Sequence, residues 1–231
     1  ETATTVDLGW RFYADRFSAN IDAYESHLKN KQISGYDNAT GGTVYLSLPK
    51  MRMRGLTAEA SYKMTADWTV YANYSLQRAT LQGDVDTLGD GIYPTHGKSF
   101  LNTPKNSGYL RVAYSHGPLW ASLDAKYRGA VYGDWMNTDK VGGYTVFNLN
   151  AGVNLPDLSS WLHHPYVKLN VFNLGDRRAL TNANNIGAFL ASNPGGMYTD
   201  PSTGKPLYTS APYYSLLQDR TYMVTFGVSF R

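Results

Sequence analysis

The constraint that bears hardest on this chain is an alternation of apolar and polar residues with a period of two, kept up over almost its whole length. Val6, Leu8, Trp10 and Phe12 alternate with Asp7, Gly9 and Arg11; Phe17, Ala19, Ile21 and Ala23 alternate with Ser18, Asn20 and Asp22. That period puts successive side chains on opposite faces of an extended strand and does not fit the 3.6-residue turn of a helix. The pattern returns at residues 56–62, 68–76, 110–114, 119–127, 147–153, 167–171 and 222–230. It predicts about nine strands and no helix.

A soluble sandwich also alternates, so other features have to decide. Mean hydropathy is −0.39, and no apolar run approaches the roughly 18 residues that a membrane helix needs. A helical membrane protein is excluded. A closed barrel is the remaining way to cross a bilayer, and its strands look polar on average because every second residue faces the lumen. The links support the barrel. Those at 14–16, 65–67 and 116–118 are tight, and 157–165 is the longest on that side; those at 34–42, 82–104, 133–142 and 181–218 are long. Short and long links alternate as periplasmic turns and extracellular loops do, and a loop as long as the last argues against a compact soluble domain. Aromatic residues make up 14% of the chain. Trp10, Phe12, Phe17, Tyr62, Trp68, Tyr114 and Trp120 gather near strand ends beside the short links, where an interfacial girdle belongs. The polar parity carries acids, bases and asparagines, as a wet lumen or a polar plug requires. The apolar parity rarely carries a charge, and Glu25, on the parity of Phe17–Ala23, is a clear exception, which places it beyond the hydrocarbon band or at a bulge. The fold expected is an all-β antiparallel transmembrane barrel.

The remaining signals are weak. A formal charge of +3 without a basic cluster gives no reason to expect nucleic acid. With no cysteine, neither a disulfide framework nor a thiolate metal site is possible. The stretch from Gly91 to Ser99 has five residues between its glycines where a phosphate cradle needs about four. Asp84, Asp86 and Asp90 suggest a calcium loop, but Leu88 occupies the next ligand position. His27, His96, His116, His163 and His164 lack metal-ligand spacing, so no metal and no cofactor is expected. No Gly-x-Ser-x-Gly elbow occurs, and no catalytic residue is assigned. Asn38-Ala39-Thr40 matches a glycosylation acceptor and assigns no function. No basic n-region or apolar h-region opens the sequence, so the chain is expected to be mature or part of something longer.

The segment Glu1–Gly9 resembles the opening "E…D.G" strand of TonB-dependent receptors, and Arg54-Gly55-Leu56-Thr57-Ala58-Glu59 resembles their "RG.E.E" strand, with Thr57 where Glu is common. Val167–Asp176 resembles their penultimate-strand "V.N.FD" signature; Tyr222…Phe230 resembles the outer-membrane assembly signal, here followed by Arg231. The resemblance implies the C-terminal portion of a barrel of about 22 strands filled by an N-terminal plug. The whole chain, 1–231, would be barrel, with no counterpart of the plug. It also implies the bacterial outer membrane, energised uptake of a scarce nutrient such as a ferric siderophore, and the TonB complex, the bilayer and the barrel assembly machinery as partners. Tyrosine and arginine in the long links offer stacking surface and charge for an oxygen-rich anion. The candidate ligand residues are Tyr132, Trp135, Arg177, Arg178, Tyr198, Tyr208, Tyr213 and Tyr214. A passive porin-like channel is the alternative.

Overall fold

A computed structural model describes residues 1–37, 42–86, 92–157, 159, 161–183 and 214–230. Nine long strands dominate it: β1 (Thr2–Tyr13), β2 (Phe17–Lys29), β3 (Met51–Lys63), β4 (Trp68–Leu81), β5 (Asn106–His116), β6 (Leu119–Arg128), β7 (Tyr144–Asn154), β8 (Leu162–Phe172) and β9 (Thr221–Phe230). They form one antiparallel sheet in which every strand pairs with its neighbours in sequence. No helix occurs among the described residues. The sheet does not close on itself: β1 and β9 are its edges.

The register explains why the alternation had to persist. Antiparallel partners lie on the same face, so one apolar row runs Phe12, Ala19, Ala60, Ala72, Leu110, Ala125 and Phe147 across seven strands. Another runs Trp68, Tyr114, Ala121, Ala151, Leu169 and Val224 to the far edge. A slip of one residue in any strand would carry its whole apolar set to the other face. Even in mid-sheet this face stays open: Leu56 and Leu123 are each 45% exposed. A continuous apolar surface of this kind is untenable in water and suited to lipid.

Short turns join the strands at one end. Thr65 Oγ1 accepts the Asp67 and Trp68 backbone N–H groups, and Gly117 takes the positive φ of 53° that turns β5 into β6. The rings gathered at this end pack together, with Trp68 and Tyr114 centroids 4.9 Å apart and Phe12 and Phe17 6.0 Å apart. Trp120 departs from the expected girdle. It lies on the polar parity, directly opposite Gly152, and the Lys168 ammonium sits 6.0 Å from its ring centroid. Tyr24 over Gly55 and Tyr166 over Gly227 repeat the arrangement on the same face. Each glycine leaves the space that a large ring on the adjacent strand fills. The longest short-side link ends in a bulge between His163 and Tyr166.

At the other end the structure adds what the sequence did not suggest: every long link carries a small hairpin of its own. Gln32–Asp37 pairs with Gly42–Ser47, Val85–Asp86 with Ile92–Tyr93, Val131–Tyr132 with Lys140–Val141, and Leu180–Ala183 with Tyr214–Leu216.

Glu25 needs no bulge. The registers of β1 with β2 and of β2 with β3 are unbroken, and Glu25 stands two rows beyond the last apolar row but one, facing Val6 and Arg54. Its carboxylate takes Arg52 at 2.8 Å and His27 at 2.8 Å.

Candidate functional site

The long links build a cap whose apolar centre is shared. Leu48 comes from the first link, Leu81, Val85 and Leu101 from the end of β4 and the second link, and Trp135 and Met136 from the third; Ile33 and Phe100 pack against them. A second cluster, Val131, Val141 and Ala183, joins the third link to the fourth. Buried apolar side chains drawn from separate links fix those links to one another, because each alone has too little surface to order itself.

Side-chain amides complete the stitching. Asn137, at a φ of 58°, donates through Nδ2 to the Ser99 carbonyl at 3.0 Å and accepts the Ser99 N–H through Oδ1 at 2.6 Å. Asn102 does the same for Ala183, at 2.8 and 3.3 Å. Arg128 donates to the Thr181 and Asn102 carbonyls. Asp134, almost fully buried, accepts the Thr138 and Asp139 N–H groups at 2.8 and 2.9 Å and so shapes the third link.

The candidate ligand residues separate against this cap. Trp135 is 1% exposed, with its ring meeting Phe100 edge-on at 5.3 Å. It sits inside the cap core, so its place is packing rather than a surface. Tyr132 is partly buried in a link hairpin, and its carbonyl accepts the Asn102 N–H at 2.9 Å. Arg177 and Arg178 are exposed just past β8; the Arg177 backbone is held at both ends by Asn173, at 2.8 and 3.0 Å. Arg177 also borders an open cleft with Tyr127, Tyr144 and Thr145. Tyr214 is exposed and its hydroxyl donates to Asp139 at 2.9 Å. Partial burial and then the Asp139 carboxylate push the Tyr214 phenol above its ordinary range. Tyr198, Tyr208 and Tyr213 lie outside the described residues. Tyr132 and Tyr214 therefore stand on the third and fourth links, which the second cluster ties together, whereas Trp135 belongs to the core beneath.

The polar face holds a constellation that the candidate residues did not include. Arg111 forms a bidentate pair with Asp124 at 2.7 and 2.9 Å, with its guanidinium 5.6 Å from the Tyr109 ring centroid. Asn150 adds a donor to Asp124 at 3.2 Å. Asp124 is only 5% exposed, so the charge that satisfies it matters. Counting back from the short turn between β5 and β6 puts Arg111 opposite Asp124; that arithmetic was available in the sequence. Other acidic and basic motifs take ordinary places. Asp84 accepts the His96 N–H at 2.9 Å, and Asp90 lies outside the described residues. Asp157 accepts the His164 N–H at 2.8 Å and pairs with the His163 ring at 2.8 Å; the first and then the second hold its carboxyl below the usual carboxylate range.

A wide antiparallel meander with one apolar and one polar face, short turns at one end and a packed cap at the other, is the architecture of a membrane-spanning barrel wall. Its family follows from residues 1–174, which match the TonB dependent receptor-like, beta-barrel family. This chain belongs to that family. The ferrioxamine receptor of Yersinia enterocolitica is 26% identical over 143 residues, 62% of this chain and 19% of that protein. The siderophore receptor PiuA of Acinetobacter baumannii superposes on 99% of this chain, and on 28% of its own, with a TM-score of 0.66 at 21% identity. The ferric yersiniabactin uptake receptor FyuA of Yersinia pestis does so over 99% and 30% with a TM-score of 0.69 at 17% identity. The chain thus spans between 19% and 30% of the length of these relatives. At such identities the structural likeness establishes the fold.

Proposed function

We propose that this chain is part of the barrel wall of an outer-membrane TonB-dependent transporter that takes up a ferric siderophore. The observation that carries the reading is the register-matched apolar face across all nine strands, in a chain belonging to the TonB-dependent receptor barrel family. Ligand would meet the long-link end at the extracellular side, where Arg177, Arg178, Tyr132 and Tyr214 are candidate contacts together with Tyr198, Tyr208 and Tyr213. Guanidinium and phenol groups suit an oxygen-rich anionic chelate. Transport would draw on the TonB complex acting through a plug domain. The polar face, with Arg111 and Asp124 on it, would meet that plug or the water around it. The similarity to a ferrioxamine receptor makes hydroxamate chelates the first class to try. A passive channel gains no support from the family match.

The test uses the full-length protein in its own outer membrane. Cells carrying or lacking its gene are supplied with radioactive iron as ferrioxamine, ferric catecholate or ferric citrate, with and without a functional TonB. Uptake of one chelate that needs both genes is expected. Uptake of none of them, with TonB-independent entry of small sugars instead, would refute the transporter and favour the channel.

A further inference from the structure

Just beyond the apolar band the outward face changes character over one step of the alternation. The row Leu8, Ala23, Leu56 and Leu76 is apolar. The next row on the same face, about 7 Å further along the strands, is Val6, Glu25, Arg54 and Arg78. The row after that is Thr4, His27, Arg52 and Thr80. Arg52, Arg54 and Arg78, with Gln82 and His96, line one open cleft of about 230 Å³. Glu25 is the carboxylate available to them, and its partners are Arg52 and His27. Among the described residues no carboxylate pairs with Arg54 or Arg78. Yet these two arginines are directly opposed across β3 and β4, an arrangement that repels unless an anion lies between them.

We infer that this cleft binds the phosphate of a phosphorylated glycolipid in the outer leaflet, seated on the outside of the barrel wall. Three features select that ligand. The cleft faces lipid rather than lumen, because its arginines share the parity of Leu56 and Leu76. It stands where the acyl region gives way to headgroups, directly above the apolar rows. Its guanidinium charges outnumber the Glu25 carboxylate, and guanidinium forks match a phosphate's oxygens in bidentate fashion. Lipid phosphate would relieve the repulsion between Arg54 and Arg78, while the acyl chains would lie along Leu56, Leu76 and the apolar rows below.

The inference rests on the proposed outer-membrane location at the long-link, extracellular end. The probe is bisphosphorylated lipid A, added to the full-length protein in detergent and counted by native mass spectrometry. Its fully dephosphorylated form and inorganic phosphate serve as comparisons. Wild-type protein is expected to hold lipid A, to ignore the dephosphorylated form and to keep its lipid in millimolar phosphate. R54Q/R78Q is expected to bind about 30-fold more weakly, at roughly 1 kcal/mol for each guanidinium near a lipid surface. Equal binding of dephosphorylated lipid, displacement by inorganic phosphate, or wild-type affinity in R54Q/R78Q would each overturn the proposal. If the double variant does not give a heat-modifiable folded barrel, R54Q and R78Q are measured singly, with about fivefold losses expected and none refuting. Failure of the wild-type protein to hold lipid A, with ferric uptake intact, would sink this inference alone, whereas absence of the protein from the outer membrane would sink the location as well.

Discussion

Replacing Trp135 by alanine separates a packing role from a ligand-binding one. The side chain is 1% exposed and contacts a core assembled from three long links. Burying a tryptophan removes up to about 250 Å² from water, an upper bound near 6 kcal/mol at about 25 cal/mol per Å². Truncations of buried Phe or Trp typically cost about 3–5 kcal/mol. The loss falls on the cap and not on the strands, whose ladders do not involve Trp135. Taking about 3 kcal/mol, the open state of the cap should become about 100-fold more populated. Amide hydrogen exchange of the full-length protein in detergent reads this directly. The Asn102 amide, bonded to the Tyr132 carbonyl, and the Ser99 amide, bonded to Asn137, should exchange about 100-fold faster in Trp135→Ala. Mid-strand amides of β5 should not change. Trp135→Phe should keep most of the protection. Unchanged exchange at Ser99 and Asn102, with loss of ligand affinity, would show that Trp135 acts by touching ligand and would refute the packing argument.

Two further predictions concern the wall. A Cβ on residue 152 would fall within the Trp120 indole, so Gly152→Ala should destabilise the barrel by about 1–3 kcal/mol through overpacking. In a Trp120→Ala background the same change should cost much less, as thermal unfolding of the four proteins would reveal; additive effects would contradict the contact. For Asp157, the folded pKa lies below its unfolded value of about 3.9. Its contribution is therefore complete above that value and is lost as pH falls through the lower folded one. Protection of the His164 amide should decline over that acidic interval in the native protein and be low and flat in Asp157→Asn. A native profile that stays level through the interval would contradict the assignment.

Position relative to a short turn decides how much of this could be read in advance. Arg111 faces Asp124, and Arg54 faces Arg78, across hairpins whose turns are short enough to count through. The pairing of Glu25 with Arg52 could not be reached that way, because residues 30–50 intervene and a long link leaves the offset of β3 against β2 open. Trp120 shows the limit on the other face. Its place near a strand end was evident, but its inward direction follows from the β6 parity and from a vacancy at Gly152 that belongs to another strand.

The period was legible along the chain, and with it the strand number, the two faces, the end bearing the short turns and the family resemblance. These are local properties: the alternation of side chains along an extended backbone needs no partner to be legible. What the long links do was settled by packing between them. Leu48, Leu101 and Trp135 carry no periodic signal, and their burial together depends on separate links converging above the sheet. Loop apolar residues look alike in sequence whether they await a ligand or one another. The difference lies in which surfaces the fold brings within contact, and that is set by the register of strands far apart in the chain.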